Sequence, residues 1–461
     1  SQHVYKNGAV PRRNGNSGRR PANAFKFEEV KYAVTFINAH SNKHGIPHPA
    51  PLHGRAGVPP VFLPASQTYK SVHKDYVAAG NLAGVRVMGE SSFRSVWHQC
   101  TPHIVFMTPR TDVCDRCEVL RRGVMTSLTE QDKLAACTLL SNHIATAQRE
   151  RDHYRKLTQT ASDQLKAIQP LPSAPQQPCS TSALKTHYTF DFAQNVCIPH
   201  EFRQVGPIYF KVPRKVQIFG VNNEAIPAQI NYLLDETDTI GPNGSKSHGP
   251  NSVVTLLHHY FEHHGLGEKE CALSADNCCG QNKNKTVFAY LAWRCIAGLH
   301  ESIEIHFMIT GHTRCLVDGC FGLNKRSYRR NNVYSMSQLA DVVDSSAGCN
   351  AAQVIPGSGL VWREWDRFFM RFFKPVPGIS KMHYMRTTRT DPGVLFVKEA
   401  ADSPERQVQI LKVPSDELLQ AGLPSTISPG GLSAERKQYL YSQIREHVPP
   451  QYQEEVCPAP S

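Results

Sequence analysis

The stretch between residues 186 and 330 places apolar runs in an order that restricts the fold strongly. Three β-branched or aromatic runs come first, in "HYTFDFAQNVCIP", "GPIYFKVPRKVQIFGVNNE" and "AQINYLLDE", and turn residues separate them. A helical pattern closed by Gly265, a strand over 270–275, a second helix, the strand "SIEIHFMIT" and a helix over 314–330 follow. This order predicts a mixed α/β sheet with flanking helices, in which the later strands are parallel.

The rest of the 461 residues is organised around this region. The first 24 residues contain five basic residues and no acidic residue, which is typical of a flexible arm. The composition "QPLPSAPQQPCSTS" is typical of a linker. We therefore predict a basic arm (1–24), a mainly helical N-terminal domain (25–168) with a long helix from Thr129 to Leu165, a linker (169–182), an α/β domain (183–400), and a C-terminal extension and tail (401–461).

Three aspartates lie at or just beyond predicted strands. Asp191 interrupts the first strand in "YTFDFAQ", Asp276 ends the fourth in "SADNCCGQNKN", and Asp318 follows the fifth in "ITGHTRCLVDGCFG". An acid within an apolar strand is costly to bury unless it is paired or binds a metal ion. If the three carboxylates converge at the carboxyl edge of the sheet, they suit Mg²⁺ or Mn²⁺ in a two-ion site for phosphodiester cleavage.

Other roles for these acids remain open at this stage. Asp276 could cap the helix that follows it, and Asp191 could pair with a buried lysine or arginine. Asp318 could be a solvated helix residue, in which case Glu364 or Asp366 could supply the third carboxylate.

The three quoted motifs together resemble transposase-derived proteins with a ribonuclease H-like core of the aspartate–aspartate–aspartate/glutamate type. The resemblance covers about residues 85–400 and extends to metazoan proteins that carry this core behind a cysteine-bearing N-terminal half, as in "MTPRTDVCDRC". It implies a ribonuclease H-like fold and metal-dependent cleavage and transfer of DNA strands, with Asp191, Asp276 and Asp318 as catalytic metal ligands. The third acid is often glutamate in such enzymes, so the shorter Asp318 must approach the ion more closely.

Amides and basic residues surround the second and third acids in the sequence. We expect the amides of 274–284 to orient Asp276 or hold a phosphate, and the lysines to face a DNA backbone. His312, in "TGHTR", could contact the scissile phosphate or pack in the core. The predicted nucleic-acid-binding residues are Asn277, Gln281, Asn282, Lys283, Lys285, His312, Lys325, Arg326, Arg329 and Arg330.

A second metal site is predicted in the N-terminal half. Cys114 and Cys117 have the spacing of half a zinc knuckle, and His143 on the long helix is the best third ligand. The candidates for the fourth ligand are Cys100, His103 and His153. The alternative is a pair of reduced thiols beside a helix start.

The overall charge indicates the kind of partner. There are 51 lysines and arginines against 39 acids, a formal net charge of +12, which favours a polyanion such as DNA over a membrane. We therefore expect a nuclear, DNA-processing nuclease related to transposases, which could form a homo-oligomer. Two alternatives remain: a catalytically silent DNA-binding protein on the same fold, and a metal-dependent ribonuclease.

Overall fold

A computed structural model describes residues 24–47, 58–107, 113–168, 170, 172–241 and 244–460. The predicted basic arm lies outside these ranges except for its last residue, Ala24. The chain divides between Asp112 and Val113 into two compact units, Ser1–Asp112 and Val113–Ser461. Within the described ranges, no helix is both long and apolar enough to cross a lipid bilayer.

The first unit combines helices with a small sheet around an aromatic core. Tyr76, Phe93 and Trp97 are completely buried there, and the ring centroids of Tyr76 and Phe93 are 4.6 Å apart. The elements are α1 (Phe27–His44), β1 (Ile46–Pro47), β2 (Val61–Leu63), α2 (Tyr69–Leu82), α3 (Glu90–Cys100) and β3 (Ile104–Phe106). Strand β2 pairs with β1 antiparallel and with β3 parallel.

The second unit begins with two helices that the sequence analysis assigned to the N-terminal domain. These are α4 (Asp115–Thr126) and the 38-residue α5 (Glu130–Ala167), whose N-cap Thr129 accepts a hydrogen bond from Asp132 N. Helix α5 packs on the sheet: Thr158 Oγ1 lies 3.1 Å from His187 Nδ1. The division between the two compact units falls before α4, and α5 belongs to the same unit as the sheet.

A ten-stranded mixed sheet forms the centre of the second unit. Its spatial order is β10-β7-β6-β4-β8-β9-β11-β12-β13, with β5 beside β6. The pairs β4–β8, β8–β9 and β7–β10 are parallel, and the other pairs are antiparallel. The strands are β4 (Thr181–Phe192), β5 (Val196–Ile198), β6 (Arg214–Asn223), β7 (Ala228–Asp235), β8 (Glu268–Ala275), β9 (Ser302–Phe307), β10 (Asn350–Ile355), β11 (Tyr384–Thr388), β12 (Val394–Lys398) and β13 (Arg406–Gln409).

Side chains of β4 alternate between the two faces of this sheet, as in any strand. Tyr188 and Phe190 enter the main hydrophobic core, whereas His187, Thr189 and Asp191 point to the opposite face, which carries α5 and α9. The remaining helices are α6 (Gly206–Tyr209), α7 (Pro250–His264), α8 (Lys285–Ile296), α9 (Leu316–Tyr328), α10 (Met336–Asp344), α11 (Trp365–Phe372), α12 (Ser415–Gln420), α13 (Ala434–Tyr439) and α14 (Gln453–Val456), with short 3-10 or π turns at Ile379–Lys381, Leu440–Ile444, Arg445–His447 and Pro450–Tyr452.

The predicted mixed α/β architecture is confirmed. The three early strands correspond to β4, β6 and β7, and α7, β8, α8, β9 and α9 follow in the expected order. Strands β10, β11, β12 and β13, which widen the sheet at both sides, were not predicted from the sequence. The segment predicted as a polar tail packs its Leu440, Ile444 and Val448 into a second core with Val216 and Leu233.

Candidate metal centres

Register places Asp191 and Asp276 side by side at the carboxyl ends of β4 and β8. The two strands are parallel, and Thr189 is the partner of Ser274. Asp191 follows Thr189 by two residues, and Asp276, directly after the end of β8, follows Ser274 by two. The same register therefore brings Asp191 level with Asp276 on the same face, because side-chain direction repeats every second residue. Neighbouring strands lie about 4.8 Å apart, so the two carboxylates are neighbours across the sheet edge.

Helix α9 brings Asp318 to the same edge. Gly220 on β6 is the register partner of Asp191, and a Cβ added to Gly220 would lie 2.7 Å from the ring of Phe321. Glycine therefore lets α9 approach the sheet directly beside Asp191. Asp318 lies one turn before Phe321, and its Oδ2 accepts a hydrogen bond of 3.0 Å from Cys315 N at the start of the helix.

We call Asp191, Asp276 and Asp318 together the acid edge. The charges of Asp276 and Asp318 affect the protonation of Asp191. Burial, then the charge of Asp276 and, more weakly, that of Asp318 raise the pKa of Asp191 to about 7, while a hydrogen bond from Phe192 N opposes this shift. Among the described residues, the acid edge is not one of the sets whose ligand atoms all lie within 4.8 Å of one another. We predict that the three carboxylates lie about 4–8 Å from one another, a separation that two ions can bridge.

The alternative third acids have other partners. Glu364 Oε1 accepts a hydrogen bond of 2.7 Å from Asn251 Nδ2. Asp366 Oδ1 accepts one of 2.5 Å from Thr286 Oγ1 and lies 3.9 Å from Lys285 Nζ. The third carboxylate whose charge acts on Asp191 is Asp318, so the geometry favours it over these two.

A fourth acid near the acid edge, Glu224, was not predicted from the sequence. Glu224 follows β6 and is only 2% exposed. Its Oε1 accepts hydrogen bonds from Thr189 Oγ1 at 2.7 Å and from Leu316 N at 3.4 Å. Burial raises the pKa of Glu224, and the Asp318 charge adds to this shift. Glu224 thus connects the first residue of α9 to β4, and the available sequence signal was an acid directly after the apolar strand in "FGVNNE".

The loop that carries Asp276 is held by its own amides. Asp276 Oδ1 accepts hydrogen bonds from Cys278 N at 3.0 Å and from Asn282 Nδ2 at 2.7 Å. Asn282 is buried and orients the Asp276 carboxylate. This is one of the two roles predicted for the amides of this loop. Among the hydrogen bonds of the described residues, none falls on Oδ2, which leaves that oxygen for a cation.

Three residues predicted to contact DNA are engaged or buried inside the protein. Lys283 is 2% exposed, and its Nζ donates to Asn277 Oδ1 at 2.9 Å and to Ser380 O at 3.0 Å. Asn277 in turn donates through Nδ2 to Met308 O. Lys283 and Asn277 therefore fasten the Asp276 loop to the segment after β9, and the buried ammonium cannot reach a DNA backbone. Asn282 is likewise too buried to bind a phosphate.

The other predicted cations lie on the surface. Lys285, Lys325, Arg326, Arg329 and Arg330 are all exposed. Lys325, in the last turn of α9, donates through Nζ to Oε1 of Gln194 at 2.8 Å, and Gln194 follows Asp191 by three residues. Gln281 is half-buried in the Asp276 loop. A single continuous positive surface around the acid edge stays a prediction.

The second candidate centre consists of two thiols and two imidazoles. The ligand atoms of Cys114, Cys117, His143 and His312 all lie within 4.8 Å of one another, and we call this set the Cys/His cluster. Cys114 Sγ lies 3.3 Å from His143 Nε2, and Cys117 Sγ lies 3.3 Å from His312 Nε2. The predicted trio is thus brought together, and its fourth member is His312.

This fourth member corrects two sequence-based expectations. His312 lies in the Cys/His cluster, where it cannot serve as a ligand for a scissile phosphate. His153, a candidate for the fourth position, contacts His306 instead, with Nε2 3.1 Å from Nδ1. The other two candidates, Cys100 and His103, belong to the first unit.

Protonation in the Cys/His cluster follows from its burial. Burial, with the adjacent Cys114 thiol, raises the pKa of Cys117 to about 11. Burial also lowers the pKa of His143, which keeps its imidazole neutral. Neutral imidazole is the form that binds metal ions, whereas a thiol must lose its proton to do so.

A third set of candidate ligands is a hydrogen-bonded core cluster. Glu268, Cys271 and His300 are almost completely buried. Both oxygens of Glu268 accept hydrogen bonds, from Tyr188 Oη at 2.9 Å and Leu266 N at 2.8 Å, and Arg294 Nε donates to His300 Nδ1 at 3.2 Å. The Glu268 carboxylate is thus tied into the hydrogen bonding of the core, and His300 Nε2 lies 3.8 Å from its Oε1.

Comparison with known proteins gives one match. The family described as "Domain of unknown function (DUF7869)" matches residues 242–403. This range contains Asp276, His312 and Asp318, whereas Asp191 and the remaining cluster residues lie before it. No curated protein and no solved structure matches the chain.

Proposed function

We propose that this protein is a transposase-derived nuclease that cleaves and transfers DNA strands with a metal-dependent site at the acid edge. The observation that carries the proposal is the register of the parallel strands β4 and β8, which sets Asp191 beside Asp276. The raised pKa of Asp191, which results from burial and from the charges of Asp276 and Asp318, agrees with it. The three acids come from distant parts of the chain, and the charges of two of them act on the third at the sheet edge. Their mutual repulsion is relieved when they bind a cation.

The order of the elements supports a ribonuclease H-like fold for the second unit. The resemblance implies the first acid on strand one, the second after strand four and the third on the helix after strand five. Counting β4, β6, β7, β8 and β9 as these five strands gives Asp191, Asp276 and Asp318 the same three places. The additional strands β10 to β13 lie outside these five and leave their order unchanged.

The donor set suits a hard divalent cation. Asp191, Asp276 and Asp318 offer only oxygen atoms, which Mg²⁺ and Mn²⁺ prefer. When bound, such ions activate an attacking oxygen and stabilise the leaving oxygen in phosphodiester cleavage. The chain's own contribution is orientation: Asn282 fixes Asp276 through Oδ1, and Glu224 fixes the start of α9 that carries Asp318.

DNA is the substrate that the charge distribution favours. The formal net charge is +12, and the exposed cations of α9 follow Asp318 within three turns of the same helix. Phosphate contacts of this kind hold the substrate without reading its sequence. A nuclear location and a homo-oligomer would accord with strand transfer on DNA, and they belong to the same proposal.

A nicking assay on supercoiled DNA with Mn²⁺ tests the proposal. We expect Asp276→Asn to reduce nicking by more than about 100-fold, because a direct metal ligand should matter at least as much as its supporting residues. DNA binding should persist, because the substitution removes a negative charge that faces phosphate. Asp366→Asn is the matched control, because its carboxylate is engaged by Thr286, and it should nick like the wild type.

Each alternative function has its own outcome in this assay. Wild-type protein that binds DNA but never nicks it would establish the catalytically silent protein. Cleavage confined to an RNA–DNA hybrid would establish the ribonuclease. An Asp276→Asn variant that nicks at the wild-type rate would remove Asp276 from catalysis and overturn the proposal.

A further inference from the structure

We propose that the Cys/His cluster binds one structural zinc ion, which fastens the segment between β9 and α9 to the helical hairpin α4–α5. The zinc inference rests on the four side chains alone. Its consequence for catalysis rests on the proposed function, since the fastened segment leads into the helix that carries Asp318.

The donor chemistry identifies the ion. Two thiolates and two imidazoles are the ligand set of closed, tetrahedral structural zinc sites. Bonds of about 2.3 Å to sulfur and about 2.0–2.1 Å to nitrogen require ligand atoms roughly 3.3–3.8 Å apart. The two sulfur–nitrogen separations of 3.3 Å agree with this requirement, and all four ligand atoms lie within 4.8 Å of one another. Hard ions such as Mg²⁺ are excluded, because they prefer oxygen ligands.

The backbone around the cluster is arranged for close approach. Cys114 is the N-cap of α4, Cys117 lies in its first turn, and His143 lies on the adjacent α5. Gly311 has φ +77, and a Cβ there would lie 2.4 Å from Cys114 Cα. Only glycine lets the segment before His312 come this close to α4.

A second helix residue holds the same segment. Arg151 on α5 donates through Nη2 to His312 O at 2.7 Å and through Nη1 to Arg314 O. These contacts bring His312 to the hairpin without depending on an ion. The imidazole therefore faces the two thiols before zinc binds, which reduces the entropy lost on binding.

The position of His312 in the chain determines which parts of the second unit a bound zinc ion would hold together. His312 is 195 residues from Cys117, so a shared ion would join two parts of the second unit that are distant in sequence. Asp318 follows His312 by six residues, in the first turn of α9. We infer that zinc fixes where α9 begins and thereby positions Asp318 at the acid edge, without touching the substrate.

The direct test is the zinc content of the purified full chain, measured by elemental analysis. We expect about one zinc ion per chain in the wild type and a loss of most of it in His312→Gln and Cys117→Ser. His263→Gln and Cys137→Ser are matched controls, because both residues are exposed and lie outside the cluster, and they should keep the ion. A wild-type chain purified without zinc, and unchanged by zinc or a chelator in thermal unfolding, would overturn the inference.

Cobalt substitution separates loss of a ligand from loss of the fold. Co²⁺ bound by two thiolates in a tetrahedral site should give sulfur-to-cobalt charge-transfer absorption, which Cys117→Ser should weaken by about half if the variant stays folded. Circular dichroism of each variant reports whether it is folded. A folded His312→Gln variant that gives the wild-type cobalt spectrum would remove His312 from the site.

Failure of zinc binding and failure of the proposed function are distinguishable. Asp276→Asn should retain zinc and lose nicking, whereas His312→Gln should lose both. Wild type without zinc that still nicks DNA would reject only the zinc inference. Wild type with zinc that never nicks, on DNA or on an RNA–DNA hybrid, would reject only the catalytic proposal.

Discussion

The acid edge and the Cys/His cluster differ in how fully the chain assembles them. In the Cys/His cluster all four ligand atoms already lie within 4.8 Å of one another, whereas the carboxylates of the acid edge do not form such a set among the described residues. The cluster residues are buried or half-buried, while Asp318 is exposed. One region is a closed set of soft donors, and the other is an open set of oxygens.

This difference follows from what each site must do. A structural ion needs no open coordination position, so its ligands can be held in advance by Gly311 and Arg151. A catalytic site, which is the role proposed for the acid edge, has to admit the substrate and its water, so its acids cannot be enclosed in the same way. Burial, and then the charges of Asp276 and Asp318, raise the pKa of Asp191 there.

The first prediction compares the positive charges near the acid edge with those on the helices α4 and α5. Replacing Lys325, Arg326 and Arg329 with glutamine should lower DNA affinity about 100-fold at physiological salt and reduce the salt slope by roughly 2.7, since each lost phosphate contact removes about 0.9. The control carries the same charge change on the helices α4 and α5, at the exposed Arg116, Arg122 and Lys133, and should change affinity little. Equal losses in both variants would show that the charge excess acts without a defined DNA surface.

The second prediction concerns the residue that orients Asp276. Asn282→Ala should reduce nicking by about 10–100-fold, because it removes the 2.7 Å hydrogen bond to Asp276 Oδ1 while the ligand itself remains. Zinc content should stay at the wild-type level. Measuring nicking across Mn²⁺ concentrations checks the reason, since a misoriented ligand should demand more metal. An unchanged metal requirement would contradict the orienting role.

The third prediction compares one glycine from each region. Gly311→Ala should destabilise the second unit by roughly 2–4 kcal/mol, through its left-handed backbone and the contact with Cys114. Gly280→Ala, in the Asp276 loop, meets no atom within 4 Å and should be nearly neutral. Denaturant unfolding of both variants checks the pair. If Gly311→Ala and Gly280→Ala have similar free energies of unfolding, the backbone beside the Cys/His cluster is packed as loosely as the Asp276 loop.

The smallest expected effect is a pH dependence at Asp191. Its folded pKa of about 7 exceeds the unfolded value of about 3.9, so the folded chain binds the proton more tightly and loses stability as pH rises from about 4 to 7. Asp191→Asn should remove this loss and stabilise the protein by roughly 1–2 kcal/mol at pH 8, with little change at pH 4. Unfolding in buffer without Mg²⁺ or Mn²⁺ measures it, with exposed Asp402→Asn as control. If Asp191→Asn is no more stable than the wild type at pH 8, the predicted link between the Asp191 pKa and the free energy of unfolding is wrong.

Local patterns were sufficient for the central elements of the second unit. The period-2 runs correctly predicted β4, β6 and β7, and the long polar helix predicted over Thr129–Leu165 is α5. Strands β10 to β13 were missed, because their pairing depends on neighbours that are remote in the chain. The packing of α5 on β4 was also not predicted, because it depends on side-chain contacts that composition does not reveal.

The residue types at both candidate centres were also readable from the sequence. An aspartate inside an aromatic strand and a C-x-x-C pair each stand out, because apolar surroundings and close spacing make them costly or unusual. The sequence did not reveal that Lys283 is buried, that Glu224 lies beside α9, or that His312 faces Cys117. Each of these depends on a contact between segments far apart in sequence.

The sequence by itself determined which elements form and which acids and thiols can bind metal ions, because periodicity and donor chemistry are local properties. The tertiary structure alone decided how they combine. The register between β4 and β8 sets Asp191 beside Asp276, and the absent Cβ of Gly220 lets α9 reach them. The approach of the His312 imidazole to the thiols at the start of α4 completes the Cys/His cluster. Packing and register are properties of chain segments in contact, and no local pattern specifies them.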